Sequence, residues 1–262
     1  MALDALKTDT AATLLIAALR AVKPRPALPK DCAPANLADA YAIQDRFVAR
    51  LGRPVGYKIG YANASVQQSL GITEPVFGRL IEGRVFPSPG SLPSAGFATR
   101  VVETEFGVRM SRSLPPRAAS YSLEEVTAAV ECVMPSFEIV DSRFDEWRKL
   151  TPLEAVADNV LHSHWITGTE RRDFAALDLA AIPVVTRVNG SEATRGLGAN
   201  VLGSPLLALH WLANALVQMG RGLEAGDSVT TGCCTDILEL GPGDVAEADF
   251  GPLGSVRVAF PA

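Results

Sequence analysis

Apolar and polar positions along this chain follow two rhythms, a helical one in the first third and a strand-like alternation after it. Residues 10–22 are apolar and stop short of Pro24, which predicts a helix followed by a linker through Pro24, Pro26 and Pro29. Leu37, Tyr41, Ile43, Phe47, Val48 and Leu51 form a helical stripe over 37–51 that Asn36 would cap and Gly52 would stop. Residues 55–60 read as a short strand, and 63–70 as a short helix ended by Gly71. From residue 76 onward strands and turns take over. Ser122 and Glu125 form a capping box that opens a helix toward Cys132, and the strand 133–140 follows directly. Stretches 166–168, 184–188 and 191–194 look extended, the last two joined by the hairpin dipeptide Asn189-Gly190. Residues 205–219 form a helix capped by Ser204 and stopped by Gly220, apolar nearly all round and so expected to be buried. Short strands at 228–231, 245–248 and 255–260 complete the chain.

Strand and helix do not alternate regularly in this order, which argues against a doubly wound parallel sheet. An α+β architecture fits better: one catalytic unit over 1–262, mainly helical over 1–72, with a β-rich core over 73–262 under a long covering helix.

Composition narrows the classes. With 262 residues, 48% of them hydrophobic and 20% charged, the chain can bury a sizeable core. A net charge of −5 with scattered basic residues leaves no footprint for nucleic acid. No apolar run reads as a bilayer span, and Asp4 and Asp9 near the N-terminus argue against a targeting peptide. Cys32, Cys132, Cys233 and Cys234 lack metal-knuckle spacing and read as reduced, mostly buried thiols, so a cytoplasmic location is expected.

The chemistry centres on Val101-Val102-Glu103-Thr104-Glu105-Phe106-Gly107-Val108-Arg109. In a strand, Val102, Thr104, Phe106 and Val108 share one face, while Glu103 and Glu105 project together from the other, roughly 7 Å apart. Taken alone, this is first the pattern of a solvated edge strand. Glu138, however, stands in the apolar run Val133-Met134-Pro135-Ser136-Phe137-Glu138-Ile139-Val140, where an unpaired carboxylate would be costly. Three acids offering only oxygen suit a hard divalent cation such as Mg²⁺ or Mn²⁺.

Lys58, in Gly56-Tyr57-Lys58-Ile59-Gly60, could snorkel to water, pair with a substrate carboxylate, or donate a proton from an amine whose pKa burial has lowered. His162 and His164 would share a face of a strand; without a third soft ligand, acid–base work or substrate contact suits them better than zinc. His210 lies in the apolar helix and reads as structural. There is no dinucleotide fingerprint, no phosphate-binding loop and no serine-hydrolase elbow.

An ordered series of motifs resembles the 2-keto-4-pentenoate hydratase and 4-oxalocrotonate decarboxylase family of the fumarylacetoacetase superfamily. The series runs through Gly56–Gly60, Glu74-Pro75-Val76-Phe77-Gly78, Glu103-Thr104-Glu105, Phe137-Glu138-Ile139-Val140-Asp141-Ser142-Arg143, Ala157-Asp158-Asn159, Gly203-Ser204-Pro205 and Leu223-Glu224-Ala225-Gly226-Asp227, then Thr231-Gly232. The resemblance implies a mixed β-sheet roll or barrel core with a helical N-terminal part. It implies Mg²⁺ or Mn²⁺ on Glu103, Glu105 and Glu138, with Lys58, Asp158 and Thr231 at the substrate. The implied substrate is a small 2-oxo or 2-hydroxydienoic acid from the meta-cleavage of aromatic compounds. Hydration is the leading reaction, with decarboxylation or acylpyruvate C–C hydrolysis as alternatives and a non-enzymatic binding role as the last. A homo-oligomer, or a hydratase–decarboxylase pairing, is implied as well. The chain departs from the family pattern at Val160-Leu161-His162, where many relatives carry small or hydroxyl side chains, and at Val76, where hydratases often carry an acid. His162 or His164 is therefore expected to face the substrate.

Overall fold

The helices of the first third form with shifted ends in the computed structural model, which describes residues 3–262. Helix α1 (Ala5–Ala21) starts earlier than its apolar stretch because Asp4 accepts a hydrogen bond from the Lys7 N–H at 2.9 Å. Helix α2 (Leu37–Val48) begins where Asn36 caps the Asp39 N–H and ends short of Leu51. The two helices bury Leu15, Ile43 and Phe47 with Phe144 in a small core of their own. Strand β1 (Pro54–Gly60) follows, then α3 (Ala64–Leu70), capped by Asn63 and closed by Gly71 in the left-handed conformation.

Strands β2 (Val76–Ile81), β3 (Val85–Pro87) and β4 (Gly90–Ser91) lead to the long β5 (Val101–Met110). The capping box at Ser122 and Glu125 opens α4 (Leu123–Thr127), but this helix stops well short of Cys132. There β6 (Val130–Val140) takes over, because pairing with β5 from Met110↔Val130 to Val101↔Val140 outweighs the local helical signal. Helix α5 (Pro152–Ala157) has a capping box of its own in Thr151 and Glu154, and β7 (His162–Thr167) runs back along β6. The hairpin β8 (Pro183–Val188) and β9 (Ser191–Leu197) turns at Asn189-Gly190, both residues at positive φ. Helix α6 (Pro205–Gln218) precedes β10 (Ser228–Cys233), β11 (Leu238–Glu239), β12 (Val245–Asp249) and β13 (Ser255–Ala259).

These strands make two mixed sheets. The larger runs β2-β1-β10-β5-β6-β7-β3, with β11 also on β5; the smaller runs β4-β13-β12-β8-β9. Strand β5 is therefore interior, flanked by β10 and β6, and is no edge strand. Its second face, Thr104 and Phe106, meets the smaller sheet: Thr104 Oγ1 lies 2.8 Å from Thr186 Oγ1, and the Phe106 ring stands edge-on to Phe250. Helix α6 buries Ala208, Leu209, Leu212, Ala213 and Leu216, but Leu207 stays 38% exposed, so only one face is covered and the expectation of all-round burial fails. The stretch Gly198–Gln218 reaches the hydropathy of a membrane span, yet it is broken at Gly203 and only Pro205–Gln218 is regular α-helix. That helix rises about 21 Å, short of a bilayer core.

Candidate active site

Alternation along β5 puts Glu103 and Glu105 on one face, and the β5–β6 register sets Glu138 directly opposite Glu103. One oxygen from each carboxylate lies within 4.8 Å of the others. Glu105 and Glu138 are fully buried, while Glu103 keeps a fifth of its side chain exposed. Glu105 Oε2 accepts the Gly232 N–H at 2.6 Å and the Thr230 hydroxyl, both from β10, whereas its buried Oε1 has no partner.

Lys58 arrives from β1. In the order β1-β10-β5-β6, three strand spacings of about 4.8 Å would put β1 beyond a lysine's reach of β6 if the sheet were flat. Lys58 Nζ nevertheless stands 2.9 Å from Glu138 Oε2 and 3.9 Å from Glu103, so the sheet must curl into a half-barrel. The curl is latched by Asn159. Its carboxamide accepts the Arg79 N–H at 2.7 Å and donates to the Arg79 carbonyl at 2.9 Å, acting as a strand neighbour to β2. Gly78 permits this approach, since a Cβ there would lie 2.6 Å from the Asn159 carbonyl.

Asn159, Val160 and Leu161 all have positive φ, a rare conformation for a β-branched residue. This left-handed turn aims the Val160 carbonyl at Lys58, which donates to it at 3.2 Å. Strain held beside clustered charges is the usual mark of a functional site.

Burial drives the electrostatics. It pushes Glu105 well above the ordinary carboxylate range, and the charges of Glu138 and Glu103 push it further. Burial likewise raises Glu103 and Glu138, with Lys58 pulling each back. Burial alone would lower Lys58, but the three carboxylates outweigh it and hold the ammonium above its usual range. With the three carboxylates uncompensated Lys58 is an ammonium; a cation among them would weaken that pull and leave burial to act the other way. A buried, like-charged set of oxygen donors with an orphaned Glu105 oxygen fits a hard divalent cation, which would relieve both the repulsion and the missing partner.

The other expected residues divide. A register shift between Ile139 and Val140 breaks the β6–β7 pairing, so His162 and His164 fall on opposite faces. His162 Nδ1 lies 2.9 Å from Glu138 Oε1; since a carboxylate only accepts, Nδ1 carries the proton. Burial, then the charge of Lys58, keeps this imidazole neutral. His164 instead packs between Phe86 and Phe97, away from the acids. Asp158 does not reach substrate space either. It is fully buried, pairing through Oδ1 with Arg143 Nε at 2.5 Å and accepting the Arg143 N–H at 3.1 Å. Thr231 donates to the Phe106 carbonyl at 3.0 Å, and its neighbour Thr230 is the hydroxyl that reaches Glu105. Sequence reasoning missed Thr230, the Gly232 N–H and the Asn159 latch. Thr230 reaches Glu105 because it pairs with Gly107 on the Glu105 face, and the one local sign of the irregularity that follows it is Gly232, at positive φ within the strand.

A cavity of about 560 Å³ opens over this cluster, with Lys58, Glu103, Tyr61, Val160 and Cys233 among its lining. Another, of about 650 Å³, lies around Tyr57, Arg79 and Arg221 and holds none of the three acids.

A curled mixed sheet carrying three clustered carboxylates, two of them buried, and a lysine defines a class of metal-site β-roll enzymes. The chain belongs to the fumarylacetoacetate (FAA) hydrolase C-terminal family, whose pattern matches residues 86–260. It is 34% identical to the 2-keto-4-pentenoate hydratase of Paraburkholderia xenovorans (strain LB400), over 96% of this chain and 94% of that one. It is 30% identical to the 4-oxalocrotonate decarboxylase of Pseudomonas sp. (strain CF600), over 90% and 89%. Among solved structures, 4-oxalocrotonate decarboxylase from Pseudomonas putida G7, complexed with magnesium and adipate, superposes with a TM-score of 0.91 over 98% of both chains at 29% identity. A fumarylpyruvate hydrolase from Pseudomonas aeruginosa in complex with Mn²⁺ and pyruvate matches at 0.61 with 16% identity over 80% and 90%, a likeness of fold alone.

Proposed function

We propose that this chain is a divalent-metal-dependent lyase acting on a 2-oxo or 2-hydroxydienoic acid, with hydration as its reaction. The observation that carries the reading is the meeting of Glu103, Glu105 and Glu138 with Lys58 at the floor of an open cavity. Glu103, Glu105 and Glu138 would hold Mg²⁺ or Mn²⁺, which supplies Lewis acidity toward a carboxylate and its neighbouring oxygen. Lys58 offers its amine to an anionic substrate and is held in place by Glu138 and the Val160 carbonyl. His162 acts through Glu138: its Nδ1–H fixes one carboxylate oxygen and leaves the other to Lys58. The hydrophobic wall of Val140, Leu150 and Val160 limits water around the reacting atoms.

Hydratase relatives at 34% identity support hydration, and the close superposition on a decarboxylase keeps decarboxylation as the second reading. The two are separated by supplying 2-hydroxypentadienoate and 4-oxalocrotonate in turn with Mg²⁺. Loss of the dienoate absorbance without CO₂ release supports hydration. CO₂ release from 4-oxalocrotonate supports decarboxylation, and silence on both together with longer-tailed 2-hydroxydienoates sinks both. A binding scaffold is disfavoured, because buried like charges cost stability and give a scaffold nothing in return. The chain reads as one catalytic unit, since Lys58 of the N-terminal part completes a site built from later strands. Four free thiols support a cytoplasmic location. The family resemblance supports a homo-oligomer, which light scattering after size-exclusion chromatography would test.

A further inference from the structure

We infer that the cavity leading away from the carboxylates is a subsite for an uncharged hydrocarbon tail, alkyl or aryl, longer than the vinyl end of pentadienoate; this rests on the 2-oxo-acid reading above. The cavity is polar at its floor, where Lys58 and Glu103 stand, and its walls carry apolar side chains interspersed with Asn63, Ser65, Ser69 and Thr235. Helix α3 supplies Val66 and Leu70, one turn apart and so on one helical face. None of the α3 side chains is buried in the core, so the cavity is what its apolar face borders. Leu150, Leu161 and Ile237 supply the other walls. Val66 and Ile237 remain 38% and 45% exposed, leaving hydrocarbon in water that a bound tail would cover.

Charge at the outer end argues the same way. Apart from Lys58, Arg148 is the only cation among the described lining residues. Its guanidinium is engaged by Glu239 at 2.5 Å and stacked against Trp147. Asp236, also in the lining, would repel a second carboxylate. About 560 Å³ lies within the roughly 300–1,000 Å³ of pockets that enclose ligands much larger than a five-carbon acid.

The test uses unreactive, saturated 2-oxo acids titrated calorimetrically into the Mg²⁺-loaded protein: 2-oxobutanoate, 2-oxohexanoate, 2-oxooctanoate and the dicarboxylate 2-oxoadipate. Affinity should rise with alkyl length by up to about fourfold per methylene, with 2-oxoadipate binding more weakly than 2-oxohexanoate. Ile237→Lys should reverse that last preference, and Ile237→Ala should flatten the alkyl series without favouring the dicarboxylate. A flat series, tighter binding of 2-oxoadipate by the wild type, or no binding of any probe would overturn the subsite. Turnover of 2-hydroxydienoates carrying methyl, butyl and phenyl tails is measured alongside. If the binding series holds but no dienoate reacts, the subsite stands and the lyase reading falls; turnover with a flat binding series gives the reverse.

Discussion

His162 Nδ1 and Glu138 Oε1 lie 2.9 Å apart in a fully buried contact, so the single carboxylate that β6 gives to the cluster is fixed by the first residue of β7. His162→Ala should weaken Mg²⁺ binding by roughly 10- to 100-fold, the usual cost of losing a partner that orients a ligand. His162→Asn, which keeps a donor, should recover part of it. Titration calorimetry measures both. Saturating Mg²⁺ should then restore turnover; a deficit that persists at saturation would place His162 at the substrate instead.

Glu105 sits in the cluster with one oxygen orphaned and its neighbours repelling it. Glu105→Gln keeps the acceptor for Thr230 and Gly232 while removing the charge. In the absence of metal the variant should melt at or above the wild-type temperature. Wild type should gain about 2.7 kcal/mol at roughly a hundredfold excess of Mg²⁺ over its Kd, and the variant should gain nothing. Thermal melts with and without Mg²⁺ report both, and equal metal stabilisation in the two proteins would remove Glu105 from the ligand set.

Asp158 and Arg143 form an ion pair with almost no solvent contact. Burial outweighs the pairing and brings Asp158 up to about 6, still ionised for the most part at neutral pH. Asp158→Ala would strand the guanidinium and should cost about 3–5 kcal/mol in urea unfolding. A variant of wild-type stability with only a raised KM would instead return Asp158 to substrate binding.

His164 is kept neutral by burial, then by Arg84 and His162, so its pKa falls from an ordinary 6.5 to about 3. The unfolded chain takes up a proton in that window and the folded protein does not. Stability is therefore present above pH 6.5 and lost as pH falls toward 3, by about 1.4 kcal/mol per pH unit for one site. His162 is depressed in the same direction and adds to the loss. His164→Phe, which suits the aromatic pocket of Phe86 and Phe97, should make the acid limb shallower by about one proton's slope. Melting temperatures from pH 8 to pH 5 show the slope, and an unchanged one would refute the assignment.

The caps were legible because their chemistry is local: Asn36, Ser122 and Ser204 each hold the N–H that their spacing indicates. So was the shared face of Glu103 and Glu105, which needs only strand alternation. What failed depends on register between distant strands. A slip between Ile139 and Val140 separates His162 from His164, and the pairing of Thr230 with Gly107 puts Thr230, not Thr231, on the Glu105 face. The end of α4 was misjudged for a related reason, since Cys132 is drawn into a sheet whose other half lies more than twenty residues earlier at Arg109. The Asp158–Arg143 pair and the Asn159 latch are contacts across the fold that no spacing encodes.

Strand β10 lies between β1 and β5 although it is made almost last. During synthesis, Lys58 and the two acids of β5 leave the ribosome on strands whose shared neighbour does not yet exist. Both strands must wait with open edges, which makes assembly slow and exposes it to mispairing. Because the contacts that fix Glu105 come from β10, full Mg²⁺ affinity would mature only when that strand threads into place, and Mg²⁺ binding would then report completed folding.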